Sequence, residues 1–223
     1  MSGNGKTRVR LCVFAKYPAP GRAKTRLIPA LGEAGAAAVA SALLQHTLQL
    51  CATVGELPDG AGLNTELRLT PSPADPCWQT VPQLAGFSSV AQGEGNLGER
   101  MQRAVNSEPV VLIGADCPSL QPGDVQWAAA CLHEGVAVMI PALDGGYVLL
   151  GLPGPVPGIF DGIAWSTASV AEQTRARLRA AGMTWRERPA LADLDVITDV
   201  PLQPAAFLRR CEVLRRYGEA ADG

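Results

Sequence analysis

The sequence predicts an α/β fold, a sandwich built on a mostly parallel sheet, and three observations lead there. Short runs that are apolar throughout, such as Val9 to Ala15 and Val110 to Ile113, read as strands buried on both faces. Stretches of helical period alternate with them. At 223 residues and 47% apolar composition, the chain has the size of one large domain with a full core.

The elements follow in order. Val9 to Ala15 is the first strand and runs into a Pro/Gly loop, Lys16-Tyr17-Pro18-Ala19-Pro20-Gly21. Glu33 to Val54 is Ala-rich, repeats apolar residues at Val39, Leu43, Leu44, Leu48 and Cys51, and closes at Gly55, which marks an amphipathic helix. Glu66 to Thr70 reads as a weaker strand, Pro71 to Pro82 as turns, and about Leu97 to Val105 as helix. Val110-Val111-Leu112-Ile113 is the next strong strand and leads through Gly114 and Ala115 to Asp116. Val136 to Pro141 and Tyr147 to Leu152 are two more, with a turn at Asp144-Gly145-Gly146 between them. Helices follow at about Thr167 to Ala181 and Pro204 to Tyr217. One domain over residues 9–217 is expected, with flexible ends at 1–8 and 218–223.

The net charge of -2 argues against nucleic acid or a membrane surface as partner, since both call for a basic face. No stretch is expected to reach the roughly 20 apolar residues of a membrane span, and a polar start, Met1 to Lys6, gives a cytoplasmic expectation. The six cysteines form no C-x-x-C pair, which speaks against a disulfide scaffold or a zinc site. Charge is nevertheless uneven: Lys6, Arg8, Arg10, Lys16, Arg22, Lys24 and Arg26 all precede the first acid, Glu33.

The loop after the first strand is not a Walker P-loop, which would need glycine where Pro18 and Ala23 stand. It is stiffened by Pro18 and Pro20, turned at Gly21, and followed by cations at alternate positions, Arg22, Lys24 and Arg26. If extended, that segment directs all three to one side. Such a cluster at the carboxyl end of a sheet strand suits a polyphosphate, although a solvated basic loop has the same composition. Asp116 ends an apolar strand at the same kind of edge and is placed to hold Mg²⁺. Asp193 and Asp195 share a side if extended, and either could be a second metal ligand; Asp199 could cap the last helix. Asp144 belongs to a site or to a plain Asp-Gly turn, and Trp165 lines an acceptor pocket or packs, with Ser166 or Thr167 capping a helix.

Together the motifs F-A-K-Y-P-A-P-G-R-A-K-T-R-L from Phe14, G-N-L-G-E-R-M from Gly95, I-G-A-D-C-P-S-L from Ile113, D-G-G-Y-V-L-L-G-L from Asp144 and W-S-T from Trp165 resemble the DUF2064 family. That family is also described as radical-SAM/selenodomain-associated transferase 1. The resemblance spans about Val9 to Leu202 and implies the nucleotide-diphospho-sugar transferase fold, a Rossmann-like three-layer α/β/α sandwich with a mostly parallel mixed sheet. The first loop is also similar to the phosphate loop of 2-phospholactate guanylyltransferases. By that resemblance Lys16, Gly21, Arg22, Lys24 and Arg26 hold nucleotide phosphate, and Asp116 binds the metal, Mg²⁺ or Mn²⁺. The usual D-x-D is here Asp116-Cys117-Pro118, so the second ligand falls to Asp195 or Asp144.

The resulting expectation is a nucleotidyltransferase: a small acceptor, hydroxylated or phosphorylated, attacks a nucleoside triphosphate and pyrophosphate leaves. Lys24 and Asp116 are its central residues, and Asp144, Gly145, Gly146, Tyr147, Trp165 and Ser166 form the acceptor side. The alternatives are a glycosyltransferase with a nucleotide-sugar donor, and a nucleotide-binding protein without turnover.

Overall fold

The computed structural model describes residues 8–55 and 63–221. Seven strands form one sheet in the order β3-β2-β1-β4-β6-β5-β7, from β1 (Arg10–Lys16), β2 (Asn64–Thr70), β3 (Ser88–Ala91), β4 (Val110–Gly114), β5 (Ala137–Pro141), β6 (Tyr147–Leu152) and β7 (Trp185–Glu187). The pairs β1·β2, β1·β4, β2·β3 and β5·β7 are parallel, while β6 runs antiparallel to both neighbours. The mostly parallel mixed sheet is therefore present.

Alternation along the strands sorts the core into two layers. Leu11, Val13, Val111, Ile113, Val138 and Ile140 face one side, packed with Leu44, Leu48 and Cys51 of α1 (Ile28–Gly55) and Val125, Ala128 and Leu132 of α3 (Pro122–His133). Cys12, Val110, Leu112, Met139 and Leu150 face the other, packed with Met101 of α2 (Leu97–Gln102) and Ala171 and Leu178 of α4 (Val170–Ala180). These are the three layers of an α/β/α sandwich.

The long helix α1 bears a second apolar side. Val39 and Leu43 meet Leu194, Phe207 of α5 (Ala205–Arg210) and Leu214 of α6 (Glu212–Ala221). A helix caught between a sheet and another helical layer is apolar nearly all round. For that reason Thr25–Gly55 is long and apolar enough to cross a membrane by length and composition, against the expectation that no stretch reaches this limit. Its two packed sides bury Ala36, Val39 and Val54 fully, and a break at Gly32 (φ 69°) divides its first turn from the rest.

The structure departs from the sequence reading at several elements. The helix expected over Pro204 to Tyr217 is two helices, α5 and α6, broken at Cys211. Helix α3 and the short strands β3 and β7 are additional. Of the expected flexible ends, residues 1–7 and 222–223 lie outside the described residues, and α6 runs on to Ala221. Arg10 does not contribute to an exposed positive field: it is buried and paired with Glu66 at 3.1 Å. All six cysteines are free thiols.

Leu194 is fully buried between α1 and the C-terminal helices and fixes the segment that carries Asp193 and Asp195. Leu194→Ala is expected to lower stability by about 2–5 kcal/mol, the cost of a buried leucine lost with its cavity, as read from urea unfolding.

Candidate active site at the carboxyl edge of the sheet

Strand β1 ends at Lys16, and the chain then folds into consecutive turns instead of continuing extended. Arg22 N and Ala23 N both donate to Ala19 O at 3.1 Å, Gly21 has φ 71°, and Lys24 is left-handed at φ 47°, ψ 46°. A tight helical turn, Thr25–Leu27, follows at once. The cations therefore reach a common cleft by a different route from strand alternation. Ala23 and Leu27 are buried as anchors, while the exposed Arg22 and Arg26 line the opening.

Lys24 points inward. Its ammonium lies 2.7 Å from Asp116 Oδ1 and 2.6 Å from Asp195 Oδ1, with 8% of the side chain exposed. Burial by itself would depress its pKa, but the two carboxylates prevail and hold it above the usual lysine value. Left-handed geometry is unfavourable for a residue with a side chain and persists only where the surroundings enforce it. Here the buried flanks and two ion pairs do so.

The acids come from three places in the chain. Asp116 follows β4, and its carbonyl accepts from Leu194 N at 2.9 Å, which sets the 191–199 segment beside it. That segment is tied further by an Ala142–Leu191 bridge and by Gln203 Nε2, which donates to Asp193 O. Asp199 caps at another place than expected: its Oδ2 accepts from Asp195 N and Val196 N at the turn Ile197–Leu202, ahead of α5. Carboxylate oxygens of Asp144, Asp193 and Asp195 all lie within 4.8 Å of one another. Burial, then Asp144 and Asp195, push the Asp193 pKa up to about 6.

The cleft has a volume of about 550 Å³. Among the described residues Lys16, Arg22, Lys24, Arg26 and Arg100 line it against two acids, Asp116 and Asp195, so these walls are net positive. Phe14, Leu97, Met101, Leu112 and Tyr147 supply an apolar side. The candidate residues Lys16, Arg22, Lys24, Arg26, Asp116, Asp195 and Tyr147 are thus brought together, whereas Gly21, Asp144, Gly145, Gly146, Trp165 and Ser166 are not among the lining residues. Gly21 shapes the loop instead. Tyr147 directs its hydroxyl to Met101 Sδ at 3.6 Å, and burial pushes its pKa up. Trp165 packs over Gly98 and Phe160, and Ser166 is left-handed at φ 63°.

Two polar residues of the cleft carried no role in the sequence reading. Gln92 is buried, and its Nε2 donates to Ala15 O and Arg68 O while its Oε1 accepts from Arg100 Nη1 at 3.3 Å. Arg100 also donates from Nε to Gly95 O at 2.9 Å, so its guanidinium is held at the wall. The signal lay in G-N-L-G-E-R-M: Asn96 and Glu99 form a capping box that opens α2 and puts Arg100 in its first turns.

This sheet, with a basic loop after β1 and acids at the same edge, is the nucleotide-diphospho-sugar transferase fold. The chain belongs to the family described as uncharacterized protein conserved in bacteria (DUF2064), whose model matches residues 53–167. A solved structure from Desulfovibrio desulfuricans G20, provisionally named a nucleotide-diphospho-sugar transferase, is similar at 29% identity and a TM-score of 0.80, covering 95% of this chain and 98% of that one. A nucleotidyl transferase from Methanothermobacter thermautotrophicus shares the fold at 13% identity and a TM-score of 0.55, over 93% of this chain and 100% of its own. So does 4-diphosphocytidyl-2C-methyl-D-erythritol synthase from Anaerococcus prevotii DSM 20548, at 12% identity and a TM-score of 0.52, over 93% and 100%. No curated protein sequence matches the chain.

Gly145 is left-handed at φ 94°, and a Cβ there would lie 2.1 Å from Ala168 O, while its own carbonyl accepts from Ala171 N. The residue therefore seats the Trp165–Ala168 loop at the start of α4. Gly145→Ala is expected to cost about 1–3 kcal/mol in strain and loop displacement, seen as a lower midpoint in urea unfolding.

Proposed function

We propose that the protein is a nucleotide-dependent transferase, and specifically a divalent-metal-dependent nucleotidyltransferase acting on a nucleoside triphosphate and a small acceptor. One observation carries the reading: the cationic loop after β1 and the carboxylates after β4 and in the 191–199 segment meet in one cleft, joined at Lys24. Relatives of the same fold named as nucleotidyl and nucleotide-diphospho-sugar transferases support it.

In this reading Arg22 and Arg26, exposed and forked, grip phosphate oxygens, and Lys16 and Lys24 meet them as point charges. The donor set fits a hard divalent cation: it is oxygen-only and gathers carboxylates within 4.8 Å, one of which is already forced toward its neutral form. Asp195 with Asp116, or with Asp144 and Asp193, would hold Mg²⁺ or Mn²⁺. When bound, the ion neutralises phosphate charge. The chain's own work is to position the triphosphate and offset the charge that gathers on the departing pyrophosphate. Among the described residues lining the cleft no side chain stands out as a general base, which suits a phosphorylated acceptor, because its nucleophilic oxygen is already ionised.

A glycosyltransferase reading draws on the name of the Desulfovibrio relative. The cation count favours the nucleotidyl reading: among the described residues five cations line the cleft, and a diphosphate needs fewer. With Mg²⁺ and a panel of phosphorylated acceptors, pyrophosphate is expected to appear with at least one nucleoside triphosphate. Asp116→Ala should lower that rate by about 100-fold or more, the usual scale for one lost electrostatic group. Turnover of nucleotide sugars without pyrophosphate release would choose the glycosyl reading. Separately, Arg22→Ala is expected to weaken triphosphate binding while leaving nucleoside binding unchanged, measured by calorimetric titration; equal weakening of both would remove the phosphate role.

A further inference from the structure

The two carboxylates nearest Lys24 are also one of the two sets that could hold the divalent cation, and Asp195 belongs to both. The ammonium already sits against both, at 2.7 Å from Asp116 Oδ1 and 2.6 Å from Asp195 Oδ1. A metal ion bound to the same two carboxylates would lie close to the ammonium, and in a half-buried setting their mutual repulsion is poorly screened, so each weakens the other's hold. We propose that Lys24 is the resident counter-ion of the Asp116 and Asp195 pair and competes with divalent metal for it. Resting on the nucleotide reading, the consequence is an order of assembly. A polyphosphate draws the ammonium onto itself and so opens the acids to the metal.

Three features of the site fit a two-position lysine. Its ammonium ends a flexible four-carbon stem, so it can leave the acids while the left-handed backbone stays in place. Lys16 and Arg22, exposed at the same cleft and without a carboxylate partner among the described residues, offer an incoming anion a first foothold beside Lys24. Asp195 also belongs to the group with Asp144 and Asp193, and the other cation near it, Arg26, approaches only to 4.0 Å from Oδ2. Withdrawal of Lys24 therefore leaves concentrated, weakly compensated negative charge, which is what a divalent ion requires. Linkage makes the effect reciprocal: whatever factor polyphosphate adds to metal affinity, metal adds to polyphosphate affinity.

The test is Mn²⁺ binding to the full chain without nucleotide, read from the paramagnetic resonance signal of free Mn²⁺. Lys24→Met is expected to bind Mn²⁺ at least tenfold more tightly than wild type, and Lys24→Arg, which keeps the charge, to stay as weak as wild type. Equal or weaker binding by Lys24→Met overturns the proposal. If that variant does not fold, the wild type carries the test through reductive methylation followed by mass spectrometry. Labelling of Lys24 should speed up several-fold when Mn²⁺ saturates the protein, and unchanged labelling overturns the proposal. Calorimetry with a nucleoside triphosphate on wild type keeps the two ideas apart. A Mn²⁺ gain in Lys24→Met without triphosphate binding to wild type removes the nucleotide reading and leaves the counter-ion standing. Triphosphate binding without the Mn²⁺ gain does the reverse.

Discussion

The ammonium of Lys24 between Asp116 and Asp195 joins three segments that are far apart in the chain: the loop after β1, the end of β4, and the strap before the last helices. A buried amine of this kind is tolerable only with opposite charge at contact, and a left-handed lysine only with its flanks fixed. Ala23 and Leu27 provide those flanks, both buried, and Leu194 fixes the far partner from beneath. Loss of any one of these supports loosens the loop that carries Arg22 and Arg26. The site thus shares contacts with its scaffold, and backbone bonds such as Leu194 N to Asp116 O tie the same strap beside β4.

The sheet explains why this meeting happens at one edge. Parallel β1 and β4 are adjacent, paired from Arg10 with Val110 to Phe14 with Gly114, so the loop after one and the acid after the other leave from the same end. Open α/β sheets bind ligands at that end. Strand β5 runs in the same direction and delivers the Asp144 turn to this end, where the β5–β6 hairpin reverses. Helix α1, apolar toward both sheet and C-terminal helices, ties the strap to the core.

Much of this was legible in the sequence, and the reasons differ by element. Strands such as Val110 to Ile113 are apolar on both faces, so neither twist nor context was needed to read them. Asp116 could be singled out because it stands just past a buried strand, and Lys24 because it falls among alternating cations in the loop after another. Other features were hidden by physics that a linear pattern does not display. Helix α3 is built on Ala128, Ala129 and Cys131, small residues with a weak periodic contrast, and its start is marked by Asp124, whose Oδ2 accepts from Gln121 N. Strands β3 and β7 are short and largely exposed, without an alternating face. Alternation gave the right company for Arg22, Lys24 and Arg26 but the wrong backbone, since two left-handed residues turn the segment. Gln92 and Arg100 join the cleft through hydrogen bonds to backbone carbonyls, which leave no mark in residue order.

The claim that loop and strap form one unit through Lys24 is tested most directly by a double-mutant cycle in urea unfolding, with Lys24→Met, Asp195→Asn and the pair. Water around Asp195, whose side chain is 38% exposed, moderates the ion pair without abolishing it. A coupling of about 0.5 kcal/mol or more between the two substitutions is the expected result for side chains in contact. Additive effects would show that the two residues do not depend on each other and would contradict the account.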